Sequence, residues 1–426
     1  MDTQAFESDW NFILSSLPDG WENAFKEMEI LKFGRKFGGA NPAGDFLRVM
    51  FMHLACGYSF RTTAARAREA KIVDITDVTL FHHFEKCAPF FEWCNERIIH
   101  DNRLHYKDLF KDGRRWKAVD GTVVREQGET GSLHRIHYAV DLSNISTDQV
   151  IVTGFKEGES LSRFEVKNGD VFVGDRGFAK APGLAYAIDK GGDVLCRFSP
   201  AYLKLFNPDG TRLEIKESLS ALRPGDIFDH NVHFMHEGRK YAGRVCAIKR
   251  SEQSSQLEQV HIERQAQLKG RKASDKSLFL CKYLLIFTTL DSDEFSGKNI
   301  VRAYRLRWQI EMVFKRLKSL LELGQLHKYK DESIKAFLSG KILIALLLEK
   351  MINQAEAFPP SDFNNLRNRS LWREMAVLHD LFKMALLPSW VSLREIIANY
   401  ARFAKDLSER KRKRPNYSSI ILSMSF

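Results

Sequence analysis

The segment YRLRWQIEMVFKRLK sets Tyr304, Arg307, Glu311 and Lys318 at steps of three, four and seven residues. On an α-helix, at about 100° per residue, these four side chains share a stripe about 60° wide. Leu306, Ile310, Val313, Leu317, Leu320 and Leu321 fall on the opposite side, a surface suited to burial. A lone carboxylate among two cations and a phenol can bind a metal through Glu311 while its neighbours grip phosphate. Arginine does so as a bidentate fork, lysine as a point charge and tyrosine as a hydroxyl donor. The same stripe also fits a solvated face with i,i+3 and i,i+4 ion pairs. Carboxylates elsewhere in the chain must decide between the two.

Two aspartates do so. Asp120 in AVDGT and Asp175 in VFVGDRGF each close a strand-like run and precede a glycine-bearing turn. In open α/β sheets, ligands gather where strand ends meet loops. A hard divalent cation takes oxygen ligands, usually a few carboxylates with water and substrate phosphate. Two such ions about 3.5–4 Å apart activate the attacking oxygen and stabilise the leaving one in displacement at phosphorus. Asp120, Asp175 and Glu311 would supply that site, although either aspartate alone is ordinary turn chemistry. Asp141, at the end of another strand, ranks second because no glycine-bearing turn follows it at once.

The elements that must position these residues follow from periodicity. Segments 116–122, 135–143, 149–155 and 170–178 read as strands, 180–191 as a helix and 193–198 as a further strand. Strands that first meander and then alternate with helices point to a mixed sheet in an α/β layer. Between Ser199 and Ser277 the turn signals NPDG, RPGD and HEGRK separate short strand-like runs, a β-rich insertion. YLLIFTTL then resumes a buried strand and leads into the Glu311 helix. Upstream, 44–57, 59–70 and 73–86 read as three helices, with Arg61, Arg66, Arg68 and Lys71 on or just after the second. They fit a helix-turn-helix-like DNA-binding unit or a plain helical bundle. The five segments are 1–108 (helical), 109–198 (core, first part), 199–277 (insertion), 278–330 (core, second part) and 331–426 (helical). The run SERKRKRP at 408–415 reads as a solvated tail or a DNA contact.

Composition narrows the class. At 426 residues the chain exceeds one ordinary core, and 44% apolar content excludes a disordered protein. A net charge of +11 points to a polyanionic partner, nucleic acid before membrane. Six scattered cysteines without a CxxC pair, and an acidic N-terminus without a signal-peptide pattern, lead us to expect a cytoplasmic protein. The longest apolar run, Ile342 to Leu348, is far too short to span a bilayer. Neither a GxxxxGK[ST] phosphate loop nor a GxSxG elbow occurs, so ATP use and serine-hydrolase chemistry lack support. His230, His233 and His236 have the look of a zinc set. On a strand, however, residues three apart point to opposite faces, so they read as structural histidines.

AVDGT, VGDRGF and the YxxRxxxExxxxxxK pattern together resemble the DDE transposases of bacterial insertion sequences, in particular the IS-four family with its Tyr-Arg-Glu-Lys signature. The similarity covers most of the chain. It implies an RNase H-like mixed-sheet core, interrupted by the β-rich insertion and flanked by helical N- and C-terminal domains. It further implies that Asp120, Asp175 and Glu311 are the catalytic, metal-binding triad for Mg2+, with Mn2+ as a substitute, and that Tyr304, Arg307 and Lys318 contact DNA. The partners implied are terminal inverted repeats and target DNA, bound by a homodimer associated with the nucleoid. The activity implied is hydrolysis at transposon ends followed by strand transfer. The alternatives are a nuclease or resolvase of the same fold without strand transfer, and a transposon-derived DNA-binding protein that has lost catalysis. Arg176 either reaches DNA or pairs with a carboxylate, and Trp308 reads as packing. Relatives that flip a base use an aromatic of the insertion, often tryptophan. All seven tryptophans here lie outside it, leaving Tyr202, Phe206, Phe228, Phe234 and Tyr241.

Overall fold

Six helices open the chain: α1 (Thr3–Ser15), α2 (Trp21–Glu27), α3 (Pro42–Cys56), α4 (Phe60–Glu69), α5 (Asp77–Phe84) and α6 (Ala88–Arg103). They belong to a computed structural model that describes residues 3–31, 37, 41–103, 112–125, 133–324, 326, 331–354 and 371–387. The three helices read from 44–57, 59–70 and 73–86 are α3, α4 and α5, and their ends follow from capping chemistry. Asn41 accepts the Gly44 amide at 2.8 Å with Pro42 in the first turn, and Gly57 closes α3 at φ 66°. Ser59 and Thr76 cap α4 and α5 in the same way. Arg61 pairs with Asp77 and Arg68 with Asp74, so two of the α4 cations are engaged locally.

The described residues divide into two compact units, and the second, from Ile99 onward to 326, holds the sheet. β1 (Arg115–Arg125), β2 (Leu133–Asp141) and β3 (Ser146–Gly154) form an antiparallel meander. β4 (Asp170–Gly174) and β5 (Asp193–Arg197) run parallel on the other side of β1, joined by α7 (Ala181–Asp189). Every residue of β4 is buried, as a short apolar strand with parallel neighbours on both edges should be. Within 199–277 lie α8 (Ile215–Ser220), β6 (Ile227–His236), β7 (Arg239–Lys249) and α9 (Glu252–Gln267), and α10 (Asp275–Leu280) crosses the end of that segment. β8 (Tyr283–Thr288) pairs with both β5 and β7, giving one eight-stranded sheet in the order β3-β2-β1-β4-β5-β8-β7-β6. The strands of the insertion therefore extend the core sheet. α11 (Gly297–Tyr304) and α12 (Trp308–Ser319) follow.

The first unit is completed by α13 (Asp331–Gln354) and α14 (Leu371–Ala385). Ile342 to Leu348 is fully buried within α13. No helix among the described residues is long and apolar enough to cross a membrane. All six cysteines are free. The charge run at 408–415 lies outside the described residues.

Candidate active site

Asp120 does not end its strand, as its glycine-bearing motif implied; it lies midway along β1. What ends there is the pairing with β4. That parallel register runs from Arg115 opposite Asp170 to Ala118 opposite Val173 and then stops. Continuing it by two residues would bring Asp120 to Asp175, and the two are near enough for the charge of Asp175 to act on the Asp120 carboxyl. Asp120 is thus at a strand end with respect to β4, and Asp175 directly follows the last residue of β4. Backbone amides orient both carboxylates. The Gly121 amide donates to Asp120 Oδ1 and the Gly177 amide to Asp175 Oδ1, each at 2.7 Å. Burial, and then the charge of Asp175, push the Asp120 carboxyl up to about 7, against the opposing pull of the Gly121 amide and Arg307.

Glu311 comes from α12, which packs on β1 and β2. Ile310, Val313, Leu317 and Leu321 are buried, and Phe314 sets its ring edge against Tyr138 at 5.9 Å. Leu306 and Leu320, at the two ends of that face, are only partly buried. The helix is not continuous with Tyr304. A 3-10 turn, Arg305–Arg307, separates α11 from α12. Side chains three apart eclipse in such a turn, which places the Arg307 guanidinium over the Tyr304 ring at 5.8 Å. The stripe survives the break because the turn rotates Tyr304 and Arg307 together, leaving the four residues within about 40°. Arg307 then joins the constellation: it ion-pairs with Glu311 and lies 3.7 Å from Asp120 Oδ2. Lys318 is exposed, about 10 Å further along the helix.

The sheet therefore brings Asp120 and Asp175 together, and Arg307 tethers Glu311 to Asp120. Glu311 is turned toward that guanidinium, and among the described residues no three His, Cys, Asp or Glu stand in ligating geometry. The donor set is nonetheless all carboxylate oxygen, which suits a hard divalent cation.

Several neighbours were not legible in the spacing. Glu159, in the loop between β3 and β4, directs its carboxylate at the bare backbones of Gly121 and Gly177. Burial, and then Asp175, raise its pKa. On the far side of Asp175, Arg176 and Arg197 share Glu258 Oε1 at 3.3 and 2.5 Å, with Arg250 alongside. Burial alone would raise the Glu258 carboxyl, but Arg197, Arg250 and Arg176 outweigh it and hold it below its usual range. The carboxylate alternative for Arg176 is thus the observed one. Glu258 belongs to α9, a mostly polar helix, and no local pattern marks it as a partner of Arg176, far upstream in the chain.

Asp141 is excluded by placement. It pairs across the sheet with Lys117, away from Asp120, and holds its own Ser143 amide and hydroxyl in a turn. His230 bonds Asn207, and His233 is buried against Phe206. Phe234 and Tyr241 stack in the core at 5.1 Å, whereas Tyr202 is 74% exposed. Trp308, read from the sequence as packing, is instead largely exposed. It stands at the first position of α12 and is 55% exposed.

The family model for the transposase DDE domain matches residues 113–348, more than half of the chain and the whole of this site. The chain belongs to the DDE transposase family. It is 26% identical to the putative transposase InsL of insertion sequence element IS186A from Escherichia coli K12, over 82% of this chain and 96% of that protein. It is 27% identical to the transposase of IS421 from Escherichia coli, over 71% and 82% of the two chains. A shorter match, 24% identical over 43% of this chain, is to the transposase of IS231F from Bacillus thuringiensis. This transposase accordingly has a DDE core built on the mixed sheet, and the domain implies dependence on a divalent metal.

Proposed function

We propose that this transposase cuts the ends of an insertion sequence and joins them to target DNA with Asp120, Asp175 and Glu311 as its metal-holding carboxylates. The observation that carries the reading is the β1–β4 register, which sets Asp120 beside Asp175 under the Glu311 helix. Mg2+ is the natural choice for an all-oxygen donor set, with Mn2+ able to replace it. When bound, a divalent pair supplies activation of the attacking oxygen and stabilisation of the leaving one.

The protein's own contribution is placement. Asp120 and Asp175 are held in fixed orientation by the Gly121 and Gly177 amides. Arg307, Tyr304 and Lys318 form the cationic, hydrogen-bonding side on which a DNA strand is laid, its phosphate directed at the carboxylates. Arg307 exchanges its carboxylate partners for phosphate oxygens as the strand arrives. The first reaction hydrolyses a phosphodiester and frees a 3′-OH; the second is attack of that hydroxyl on a target phosphodiester. Each exchanges one phosphate ester bond for another bond to the same phosphorus, so no ATP is consumed. Terminal inverted repeats are the DNA recognised, a homodimer holds two of them, and the work is done at the nucleoid.

The test uses labelled transposon ends that are already cut, incubated with plasmid and Mg2+. Joined products support transposition, and Asp120→Asn, Asp175→Asn or Glu311→Gln should abolish them while end binding persists. Hydrolysis without joining would instead favour a nuclease of the same fold. Full joining by any of the three variants would overturn the site.

A further inference from the structure

Resting on that reading of the site, we propose that Glu159 is a fourth carboxylate of the metal centre, facing the cation held between Asp120 and Asp175. Its carboxylate lies across the two glycines of the aspartate motifs. A Cβ on Gly121 would stand 2.8 Å from Glu159 Oε1, and a Cβ on Gly177 would collide with Oε2. The same Gly177 Cβ would lie 3.1 Å from Asp175 Oδ1, so the Glu159 and Asp175 carboxylates border one small space. The glycines after Asp120 and Asp175 thus have a shared function: they leave room for this third side chain.

The loop that carries Glu159 is fixed on both sides. Leu161 is buried in the core, Ser160 caps the short 3-10 turn Leu161–Arg163, and Arg163 Nε donates to the Gly158 carbonyl at 2.7 Å. Arg163 also pairs with Glu157, so the adjacent carboxylate is neutralised while Glu159 is left out. Among the described residues Glu159 makes no hydrogen bond or ion pair. A half-buried carboxylate held against two others is costly; Arg135 and Lys180 offset part of that cost from beyond ion-pair range, and a divalent ion would remove the rest. With Glu311 turned to Arg307, Glu159 is the carboxylate that borders Asp175 across this space and would close on a cation once one is bound.

The test is Mn2+ titration of the full-length protein without DNA, followed by the EPR signal of free Mn2+. Glu159→Gln should weaken binding about tenfold or more, and Glu159→Asp, which keeps the charge but shortens the reach, should weaken it too. Asp120→Asn is the control for the site itself. Unchanged affinity in Glu159→Gln, with binding lost in Asp120→Asn, overturns the role of Glu159 and leaves the site standing. Unchanged affinity in both overturns the site as well. If Glu159→Gln fails to fold, Gly177→Ala, which displaces the Glu159 carboxylate, should reproduce the loss; wild-type affinity there would overturn the proposal.

Discussion

The paired stretch of β1 and β4 is flanked by acids at both of its ends, and the two ends treat them in opposite ways. At one end Asp170 is 0% exposed and fully compensated: Lys117 Nζ lies 3.0 Å away, Arg115 Nε 2.7 Å, and the Lys167 amide donates at 2.9 Å. Lys117 also holds Asp148 at 3.0 Å. At the other end Asp120, Asp175 and Glu159 crowd together, and the nearest cation in ion-pair range of the three is Arg307, 3.7 Å from Asp120. The same residue type on the same strands is a structural strut where cations answer it. Where they answer it only in part, it is electrostatic strain, seen in the raised Asp120 carboxyl.

The sharpest way to break this comparison is one substitution made at both ends. Asp175→Asn should reduce Mg2+-dependent strand cleavage by about a thousandfold or more, the equivalent of several kcal/mol of charge stabilisation. Its folding stability should hold. Asp170→Asn should leave the cleavage rate per folded molecule near wild type and lower unfolding free energy by about 3–5 kcal/mol, measured by urea denaturation. Equal loss of activity at both ends would remove the distinction.

A smaller effect sharpens it. In metal-free buffer at pH 8, Asp120→Asn should stabilise the protein by on the order of 1–2 kcal/mol, allowing for partial solvent screening. The sign follows from a pKa raised from 3.8 to about 7 in the fold. The folded carboxyl holds its proton more tightly than the unfolded one. Its destabilising contribution is therefore absent below about pH 4, grows as pH rises, and is complete above about pH 7. Thermal melts across that window should fall more steeply with pH for wild type than for Asp120→Asn, and added Mg2+ should raise only the wild-type melting temperature. Identical slopes would count against the strain at this end. The smallest effect belongs to the DNA face. Lys318→Ala should weaken end binding modestly and reduce the slope of log affinity against log salt by about 0.9, one phosphate contact.

Local chemistry was legible without coordinates. The apolar back of α12, the stripe of Tyr304, Arg307, Glu311 and Lys318, and the glycines behind both aspartates follow from spacing, because helix and strand periodicity are properties of neighbouring residues. The match over 113–348 agrees with the family to which those motifs pointed. The 3-10 turn at Arg305–Arg307 escaped detection, since its residues are good helix formers and only hydrogen bonding separates the two helices.

What the tertiary structure alone decided is which of the many acids and cations face one another. The β1–β4 register chose Asp120 with Asp175 and sent Asp141 to the Lys117 end. The loop before β4 delivered Glu159 between two glycines, and α9 delivered Glu258 to Arg176 and Arg197. These encounters join residues tens of positions apart through a crossover and an extended sheet, and such pairings leave no period in the sequence. Residue types and spacing determined what chemistry the chain can do. Register and burial determined which carboxylates crowd together and which are matched one for one by cations.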